Sequence, residues 1–384
     1  MKVLKKIVKR IMVITLCLVG FFVVAYLLFV NFYPSFGGDI SKERQKKYTV
    51  SPNYKEGKFV NRKNVPKDLS FWETVGLVYK FFTVKVPNSR PDQDVKVIKL
   101  DSTEVANYKD SARLIWYGHS AFFLQVESMN ILIDPMFGKV AAPHPLLGAN
   151  RFNREMPLEI EKLPYIDVVL ISHDHYDHLD YETVTKLKDK VGLFYTPLGV
   201  GVHLERWGVK KDQIIELDWW QEINHERLVF ACTPAQHFSG RKFNSGQSTL
   251  WGSWVILSER ERIFFSGDSG YGEHFRKIGE KYGPFDFAMM ECGQYNAMWP
   301  DIHMFPEETA QAGLDVEAKA MMPIHWGAFK LALHSWTDPI ERVVKKGKEL
   351  GILIVAPKIG QEIRVDAMNR QIMDMWWKPL EPNR

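Results

Sequence analysis

The sequence predicts an α/β protein in which two packed β-sheets are covered by helices on both outer faces, an αββα sandwich, behind an N-terminal transmembrane helix. Three observations lead to this prediction. Short runs rich in β-branched and aromatic residues recur from Arg113 onwards. Helical patterns alternate with these runs in both halves, which suits two sheets that each carry helices. An uncharged apolar stretch, residues 11–33, precedes all of them.

Length and composition limit the classes of protein that the chain can represent. It has 384 residues, of which 46% are hydrophobic and 25% charged. This allows one large domain or two modest ones with a sizeable core, and it excludes global disorder. The net charge of +4 is small for this length, so we expect no nucleic-acid partner. Cys17 lies in the apolar N-terminal stretch, whereas Cys232 and Cys292 fall in predicted buried strands and lack CxxC spacing, which predicts core thiols rather than a disulfide.

The apolar N-terminal stretch predicts a membrane anchor. A helix of about 20 apolar residues crosses a hydrocarbon core of roughly 30 Å. The stretch exceeds the roughly 7–15 residues of a signal-peptide core and no small-x-small cleavage site follows, so an uncleaved anchor is favoured over a signal peptide. The basic tail before it favours a cytoplasmic N-terminus, and hence a single-pass membrane protein with its folded domain on the non-cytoplasmic side. Further basic residues, Lys42, Arg44, Lys46 and Lys47, follow the stretch and reduce this asymmetry.

Composition divides the chain into three segments. Residues 1–33 form the cytoplasmic tail and anchor, 34–110 a connector and N-terminal extension, and 111–384 the main folded domain. The stretch from Pro34 to Pro66 is rich in Gly, Pro, Ser, Asn and Lys, which predicts an extended connector.

The main domain shows strands and helices in alternation. Its strand runs are RLIWY, AFFLQV, NILID, VVLIS, IIEL, LVFACT, WGSWVIL, RIFFSGD, DFAMMEC, AMMPIHW and ILIVAP, and its helical patterns fall at roughly 181–190, 273–282, 306–317 and 338–350. The last helix has Asp338 as its expected N-cap, Pro339 at its start and Gly351 after its end. An earlier helix is expected from the capping box Ser70-Phe-Trp-Glu73 to Phe82, packed on the protein rather than lying on a bilayer.

A dense cluster of metal-ligand residues follows the strand run VVLIS directly. The segment His173-Asp174-His175-Tyr176-Asp177-His178 holds three of the twelve histidines. Imidazole and carboxylate suit zinc and similar divalent ions. The alternation of His173 and His175 can direct two imidazoles at one ion, and Asp177 and His178 can reach a second. Surface histidines without a metal are the alternative, and so close a cluster disfavours it.

Three later strand runs also end in a polar residue of ligand type. His237 follows LVFAC, Asp268 follows RIFF between two glycines, and His325 follows AMM. Each signal alone is weak because a single histidine at a strand end is more often structural. Together with the first cluster they predict one metal centre.

The order of these residues resembles that of a known family. HxHxDH, a later His, an Asp in a GD-S/T-G turn and a final His form the ordered ligand set of the metallo-β-lactamase superfamily. The chain is most similar to one branch, the N-acylphosphatidylethanolamine-hydrolysing phospholipase D family. The matching stretches are YGHSAFFL, ILIDPMF, IDVVLISHDHYDHLDY, IELDWW, TPAQH, LWGSWVIL, RIFFSGDSGY, IGEKYGPFD, HMFPEETA and PIHWGAF, within about 113–330. The resemblance implies a metallo-β-lactamase fold and a hydrolase domain over 111–384.

The resemblance also implies a role for each candidate residue. Two Zn²⁺ ions are expected: His173, His175 and His237 would bind one, Asp177, His178 and His325 the other, and Asp268 both. Asp177 would act as ligand and proton acceptor, and His303 in HMFPEE would contact a substrate phosphate. A surface histidine beside a helix is the alternative for His303. Two segments, GQYNAMWPDI and FSGRKFNSG, depart from the family pattern and are expected to line the cleft, which leaves the acyl and headgroup preference open.

Four neighbouring features are expected to support the site or the core. His119 is read as a hydrogen-bonded structural histidine and Asp134 as a partner that orients a ligand imidazole. Asp174 is expected to point away from the metals, and Trp219-Trp220 to lie in the core.

The expected reaction is hydrolysis of a phosphodiester lipid. Two ions about 3.5–4 Å apart lower the pKa of a bridging water, and the resulting metal-bound hydroxide attacks phosphorus. The products would be N-acylethanolamine and phosphatidic acid. The expected partners are a membrane phospholipid substrate and the bilayer, and a homodimer stays open. A metal-dependent lactonase, another phosphodiesterase on the same site and a non-catalytic metal-binding scaffold are the alternatives.

Overall fold

A computed structural model describes residues 1–62, 71–242, 245–370 and 374–378. Within these ranges, the N-terminal region contains four α-helices, a 3-10 turn (Pro34–Phe36) and a short hairpin: α1 (Lys2–Phe32), α2 (Lys42–Tyr48), β1 (Tyr54–Lys55), β2 (Lys58–Phe59), α3 (Phe71–Thr83) and α4 (Ser102–Asn107). The helix α1 is long and apolar enough to cross a membrane. The helix and hairpin that follow it depart from the expected extended connector. They form because Tyr48 and Phe59 are buried in the main core.

The first sheet has seven strands in the order β16-β3-β4-β5-β6-β7-β8. Their bounds are β3 Arg113–Trp116, β4 Phe122–Val126, β5 Met129–Ile133, β6 Ile166–Leu170, β7 Val191–Pro197, β8 Ile214–Leu217 and β16 Glu362–Arg364. Strands β5 to β8 are parallel, and the rest pair antiparallel. The parallel strands therefore all end at one edge of the sheet.

The second sheet also has seven strands, in the order β15-β14-β13-β12-β11-β10-β9. Their bounds are β9 Glu222–His225, β10 Leu228–Thr233, β11 Ser253–Leu257, β12 Arg262–Phe265, β13 Phe287–Glu291, β14 Ala320–Ile324 and β15 Leu353–Ile354. Strands β12 to β15 are parallel. Five α-helices in the described part of the chain accompany the two sheets: α5 Tyr181–Leu187, α6 Gly201–Arg206, α7 His274–Tyr282, α8 Pro306–Asp315 and α9 Asp338–Leu350.

Alternation along the strands builds two layers of core. Leu114 and Phe122 belong to the core between the sheets, where the Phe122 and Phe265 ring centroids lie 6.4 Å apart. Ile115 and Phe123, the neighbours in sequence, join the residues of α5 and α6 on the outer face. Successive side chains of a strand point to opposite faces, so both faces of this sheet are covered. This is the αββα sandwich that the sequence predicts.

Two local predictions differ in detail from the structure. The helix α9 begins at Asp338 with Thr337 as its N-cap residue, so the assignment of Asp338 as N-cap was wrong by one residue. The Asp338 carboxylate instead accepts hydrogen bonds from Tyr295 and Arg342. Gly351 ends the helix with φ +75°, as expected. In the described part of the chain, Cys232 and Cys292 are free and buried, as predicted, whereas Cys17 is free and exposed on α1.

The helix α3 covers the stretch expected from the sequence, although Ser70 of its capping box lies outside the described residues. Among its described side chains, Trp72 is 78% exposed and Tyr79 is 68% exposed. Leu77 on the same helix is half-buried, so the packed helix stays a prediction.

Candidate metal centre

The seven predicted ligands meet where strands of both sheets end. His173, His175, Asp177 and His178 lie in the loop after β6, and the other three follow β10, β12 and β14. Since parallel strands end at the same edge, residues about 150 positions apart in sequence become neighbours. The structure therefore brings all seven side chains together.

The first ligand group contains His173, His175, His237 and Asp268. One nitrogen or oxygen from each lies within 4.8 Å of all the others. His237 Nε2 is 3.3 Å from His175 Nδ1 and 3.8 Å from Asp268 Oδ2. The four donor atoms thus converge on one point, as first-row divalent ions require.

The second ligand group contains Asp177, His178 and His325, together with His119, again with one atom of each within 4.8 Å of the others. Asp268 reaches into this group as well. Its Oδ2 is 3.1 Å from His178 Nε2, and its Oδ1 is 3.1 Å from His325 Nδ1. A carboxylate in contact with both groups can bridge two ions.

The donor set fits divalent metal ions. His173 Nε2, His178 Nε2 and Asp268 Oδ1 are buried, and none of their contacts with the described residues has the geometry of a hydrogen bond. Buried polar atoms without partners are costly, and a bound cation satisfies them. Burial lowers the pKa of His173, His237 and His325 well below the usual value, so these imidazoles are neutral and can offer a lone pair.

His178 differs from the other ligand imidazoles in its charge. Burial disfavours its proton, but the carboxylates of Asp268, Asp177 and Asp134 outweigh burial and raise the pKa of His178 well above its usual value. In the metal-free protein, a protonated His178 balances the negative charge of these three carboxylates. A metal ion would displace this proton.

Asp134 holds the loop and His178 from behind. Its Oδ2 lies 2.7 Å from His178 Nδ1, and its Oδ1 accepts a 2.7 Å hydrogen bond from the backbone N–H of Ser172. The Ser172 hydroxyl donates to the same carboxylate over 2.5 Å. Asp134 therefore fixes which nitrogen of His178 faces the site, in the way the sequence suggested.

His119 plays a comparable part for Asp177. Its Nε2 lies 2.9 Å from Asp177 Oδ2, and its backbone oxygen accepts hydrogen bonds from Trp116 and from the backbone N–H of His325. Burial lowers the pKa of His119 to about 4, although Asp177 opposes the shift, so a neutral ring donates to the carboxylate. This is the hydrogen-bonded structural histidine expected from the sequence.

His303 lies at the edge of both groups. One of its nitrogens is within 4.8 Å of ligand atoms of Asp268 and His325, and its ring stacks on that of His325 at 5.2 Å. Its side chain is only 12% exposed. The alternative of a surface histidine beside a helix therefore does not apply.

Glu291 is a residue that the sequence interpretation missed. It ends β13 with its side chain fully buried, and its Oε1 is 3.2 Å from His303 Nδ1. A polar residue at the end of an apolar strand run, DFAMMEC, is the same signal that identified the other ligands.

Glu291 Oε2 also accepts the backbone N–H of Met304, and Glu308 accepts that of Phe305. Of the backbone N–H groups at the start of α8, these two are thus already bonded to carboxylates, so neither is free for a phosphate.

The remaining neighbours show which expected cleft residues face the site. Phe238 is 38% exposed and its ring lies 4.5 Å from that of His175, at the mouth of the centre. Arg241 from the same divergent segment is buried and donates to the backbone oxygens of Ser35, Asp174 and Leu179 instead.

Two further expectations about neighbouring side chains agree with the structure, the second in part. The Asp174 carboxylate points away from the ligand groups and accepts hydrogen bonds from Gly240 and Thr249. Trp219 is buried in the core, and Trp220 is partly buried against it.

Comparisons with known proteins agree with this geometry. Residues 129–326, just over half of the chain, match the β-lactamase superfamily domain. An uncharacterised protein of Mycobacterium tuberculosis is 40% identical over 85% of this chain and 88% of its own length. The N-acyl-phosphatidylethanolamine-hydrolyzing phospholipase D 1 of Caenorhabditis elegans is 33% identical over 56% of this chain and 64% of that enzyme. A solved metallo hydrolase from Ignicoccus hospitalis shares the fold with a TM-score of 0.50 at 21% identity, over 66% of this chain and 98% of that one. The chain belongs to the metallo-β-lactamase superfamily and is a metal-dependent hydrolase.

Proposed function

We propose that this hydrolase is a membrane-anchored phosphodiesterase of the phospholipase D type that uses two Zn²⁺ ions. Its substrates would be N-acylphosphatidylethanolamine-like lipids, and its products N-acylethanolamine and phosphatidic acid. The observation that carries the proposal is the position of His303 beside both ligand groups. A phosphodiester brings a negative charge to the site, and a donor aimed at a phosphoryl oxygen stabilises the charge of the transition state.

The chain's own residues account for the rest of the proposed chemistry. The two ions, when bound, would supply an activated water and polarise the phosphoryl group. Burial raises the pKa of Asp177, but His178 and His119 outweigh burial and hold it well below its usual range. Its carboxylate is therefore ionised and can accept a proton from the attacking water. His303, whose Nδ1 lies beside Glu291, would donate its Nε2–H to the phosphate. The leaving alkoxide would take up the proton that Asp177 accepted from the water, which gives the ethanolamide.

The anchor supports a lipid substrate. The ring of Phe36, just after α1, lies 5.1 Å from that of Phe29 and 6.4 Å from that of Tyr176. Tyr176 stands between the ligands His175 and Asp177. The metal-binding loop is therefore joined to the end of the proposed membrane helix, on what would be the non-cytoplasmic side.

A labelling experiment distinguishes phosphodiester hydrolysis from lactone opening. The full chain in detergent is incubated with N-acylphosphatidylethanolamine in ¹⁸O-water, and the products are identified by mass spectrometry. The label should appear in phosphatidic acid and not in the ethanolamide. If lactones are opened while the phosphodiester stays intact, the phospholipase proposal fails.

The role of His303 has its own test. His303→Ala should lower turnover on the order of 10² or more, the usual effect of losing one such donor, while elemental analysis still finds both metals. His225→Ala on the edge strand β9 is the matched control and should keep full activity. Normal lipid hydrolysis by His303→Ala would contradict the proposed role.

A further inference from the structure

We infer that the 143–148 loop is a second membrane contact, which inserts Leu146 and Leu147 into the leaflet that α1 leaves. The inference rests on the proposed membrane anchorage but not on the identity of the substrate. It follows from where α1 meets the folded domain, from what this loop touches, and from what it exposes.

The exposure of α1 locates the membrane boundary. Every residue up to Leu28 is exposed, Phe29 is partly buried and Val30 is buried against the domain. Residues 11–28 of a helix span about 27 Å, close to the roughly 30 Å of a hydrocarbon core. The boundary on the domain side therefore lies near Phe29 and Tyr33, and aromatic residues are common at this depth.

The 143–148 loop packs on this same turn of α1. The ring of His144 lies 6.1 Å from that of Phe29 and 5.3 Å from that of Tyr33. The Ser35 hydroxyl also donates to the backbone oxygen of Pro143. The loop is thus fixed at the height where the helix leaves the bilayer.

His144 also shapes the turn that presents the two leucines. Its Nδ1 accepts the backbone N–H of Leu146 over 3.2 Å, and its backbone oxygen accepts that of Leu147 over 2.9 Å. Leu146 is 86% exposed and Leu147 is 60% exposed. The sequence from Val140 to Asn150 contains no Asp, Glu, Lys or Arg. An exposed, uncharged apolar tip beside a membrane helix is suited to lipid.

A second contact changes what the anchor does. A single helix would leave the domain free to rotate about the helix axis. With the 143–148 loop inserted as well, the domain has two points of attachment. The metal-binding loop, joined to α1 through Phe36 and Tyr176, then keeps a fixed height and orientation above the lipid.

Site-specific fluorescence of the full chain in vesicles tests this inference. Cys17 is exposed on α1, whereas Cys232 and Cys292 are buried, so a thiol-reactive fluorophore can label one site. Three proteins are compared in phosphatidylcholine vesicles that contain nitroxide lipids: the native chain labelled at Cys17, a Cys17→Ser, Leu147→Cys variant, and a Cys17→Ser, Glu259→Cys control. Glu259 is exposed in the β11–β12 turn, at the edge opposite the metal centre.

The inference expects quenching at two of the three positions. The probe at Cys17 should be quenched by nitroxides deep in the chains, and the Leu147→Cys probe by nitroxides near the headgroups with a blue-shifted emission. The Glu259→Cys probe should not be quenched. An unquenched Leu147→Cys probe beside a quenched Cys17 overturns the inference and leaves the anchor intact, whereas an unquenched Cys17 overturns both. Quenching of the Leu147→Cys probe in a protein that leaves the lipid phosphodiester intact supports the contact and refutes the substrate proposal alone.

Discussion

Asp134→Asn should weaken metal binding while leaving the fold of the metal-binding loop in place. The asparagine has the same shape, and its carbonyl oxygen can still accept the backbone N–H of Ser172. Its amide nitrogen would replace the oxygen that lies 2.7 Å from His178 Nδ1. That nitrogen donates, so it favours the His178 tautomer with the proton on Nε2. This proton occupies the lone pair that faces Asp268 and the ligand groups.

The size of the effect follows from this contact. Replacing an outer partner of a metal-bound imidazole typically costs about 10–100-fold in metal affinity or activity. Such a change corresponds to roughly 1.4–2.7 kcal/mol of binding free energy. We expect Asp134→Asn to lie within this range, because one ligand is weakened and none is removed.

The assay is a zinc titration of the metal-free protein against a competing chelator. Asp174→Asn is the matched control, since Asp174 is equally buried and lies in the metal-binding loop, but bonds to Gly240, Thr249 and His203 rather than to a ligand. It should lose thermal stability and keep its zinc affinity. If the two variants bind zinc equally well, the tautomer argument is wrong.

Four further predictions follow from the same contacts. Asp268→Ala should remove both metals and all activity by elemental analysis and assay, because its carboxylate touches both ligand groups, and a fully active variant would contradict a dinuclear centre. Glu291→Ala should slow turnover while both metals stay bound. The double variant Glu291→Ala, His303→Ala should be little slower than His303→Ala alone, because Glu291 acts through His303. If the two losses of activity add up instead, the two residues act independently. Zinc binding near pH 7 should release a proton from His178, because the pKa of His178 is raised in the metal-free protein. Calorimetry in buffers of different ionisation enthalpy detects this release. A heat of binding that does not depend on the buffer would refute it. Deleting residues 1–28 removes only exposed side chains and should yield a soluble folded hydrolase. Deletion through Phe36 should lower the Tm because it also removes buried residues. Equal Tm values for the two truncated proteins would show that residues 29–36 do not support the fold.

The sequence alone was sufficient for the features that local patterns encode. Residue type and spacing identified the cluster from His173 to His178, and apolar strand runs ending in a polar residue identified His237, Asp268 and His325. Recurring strand runs with helical patterns between them predicted the αββα fold, and the long apolar stretch predicted a first helix able to cross a membrane. These features can be predicted from the sequence because the chemistry of a ligand and the residue pattern of a strand are properties of short segments.

Only the tertiary structure decided which distant groups meet. Nothing in the sequence pairs His119 with Asp177 or Glu291 with His303, since these contacts depend on the order of strands in the two sheets. Packing likewise turned Arg241 away from the cleft to hold the backbone after α1, and it brought Glu291 and Glu308 to the backbone N–H groups of Met304 and Phe305. The physical reason is that buried polar groups must all find partners, and the choice among partners is made by long-range packing rather than by neighbours in the chain.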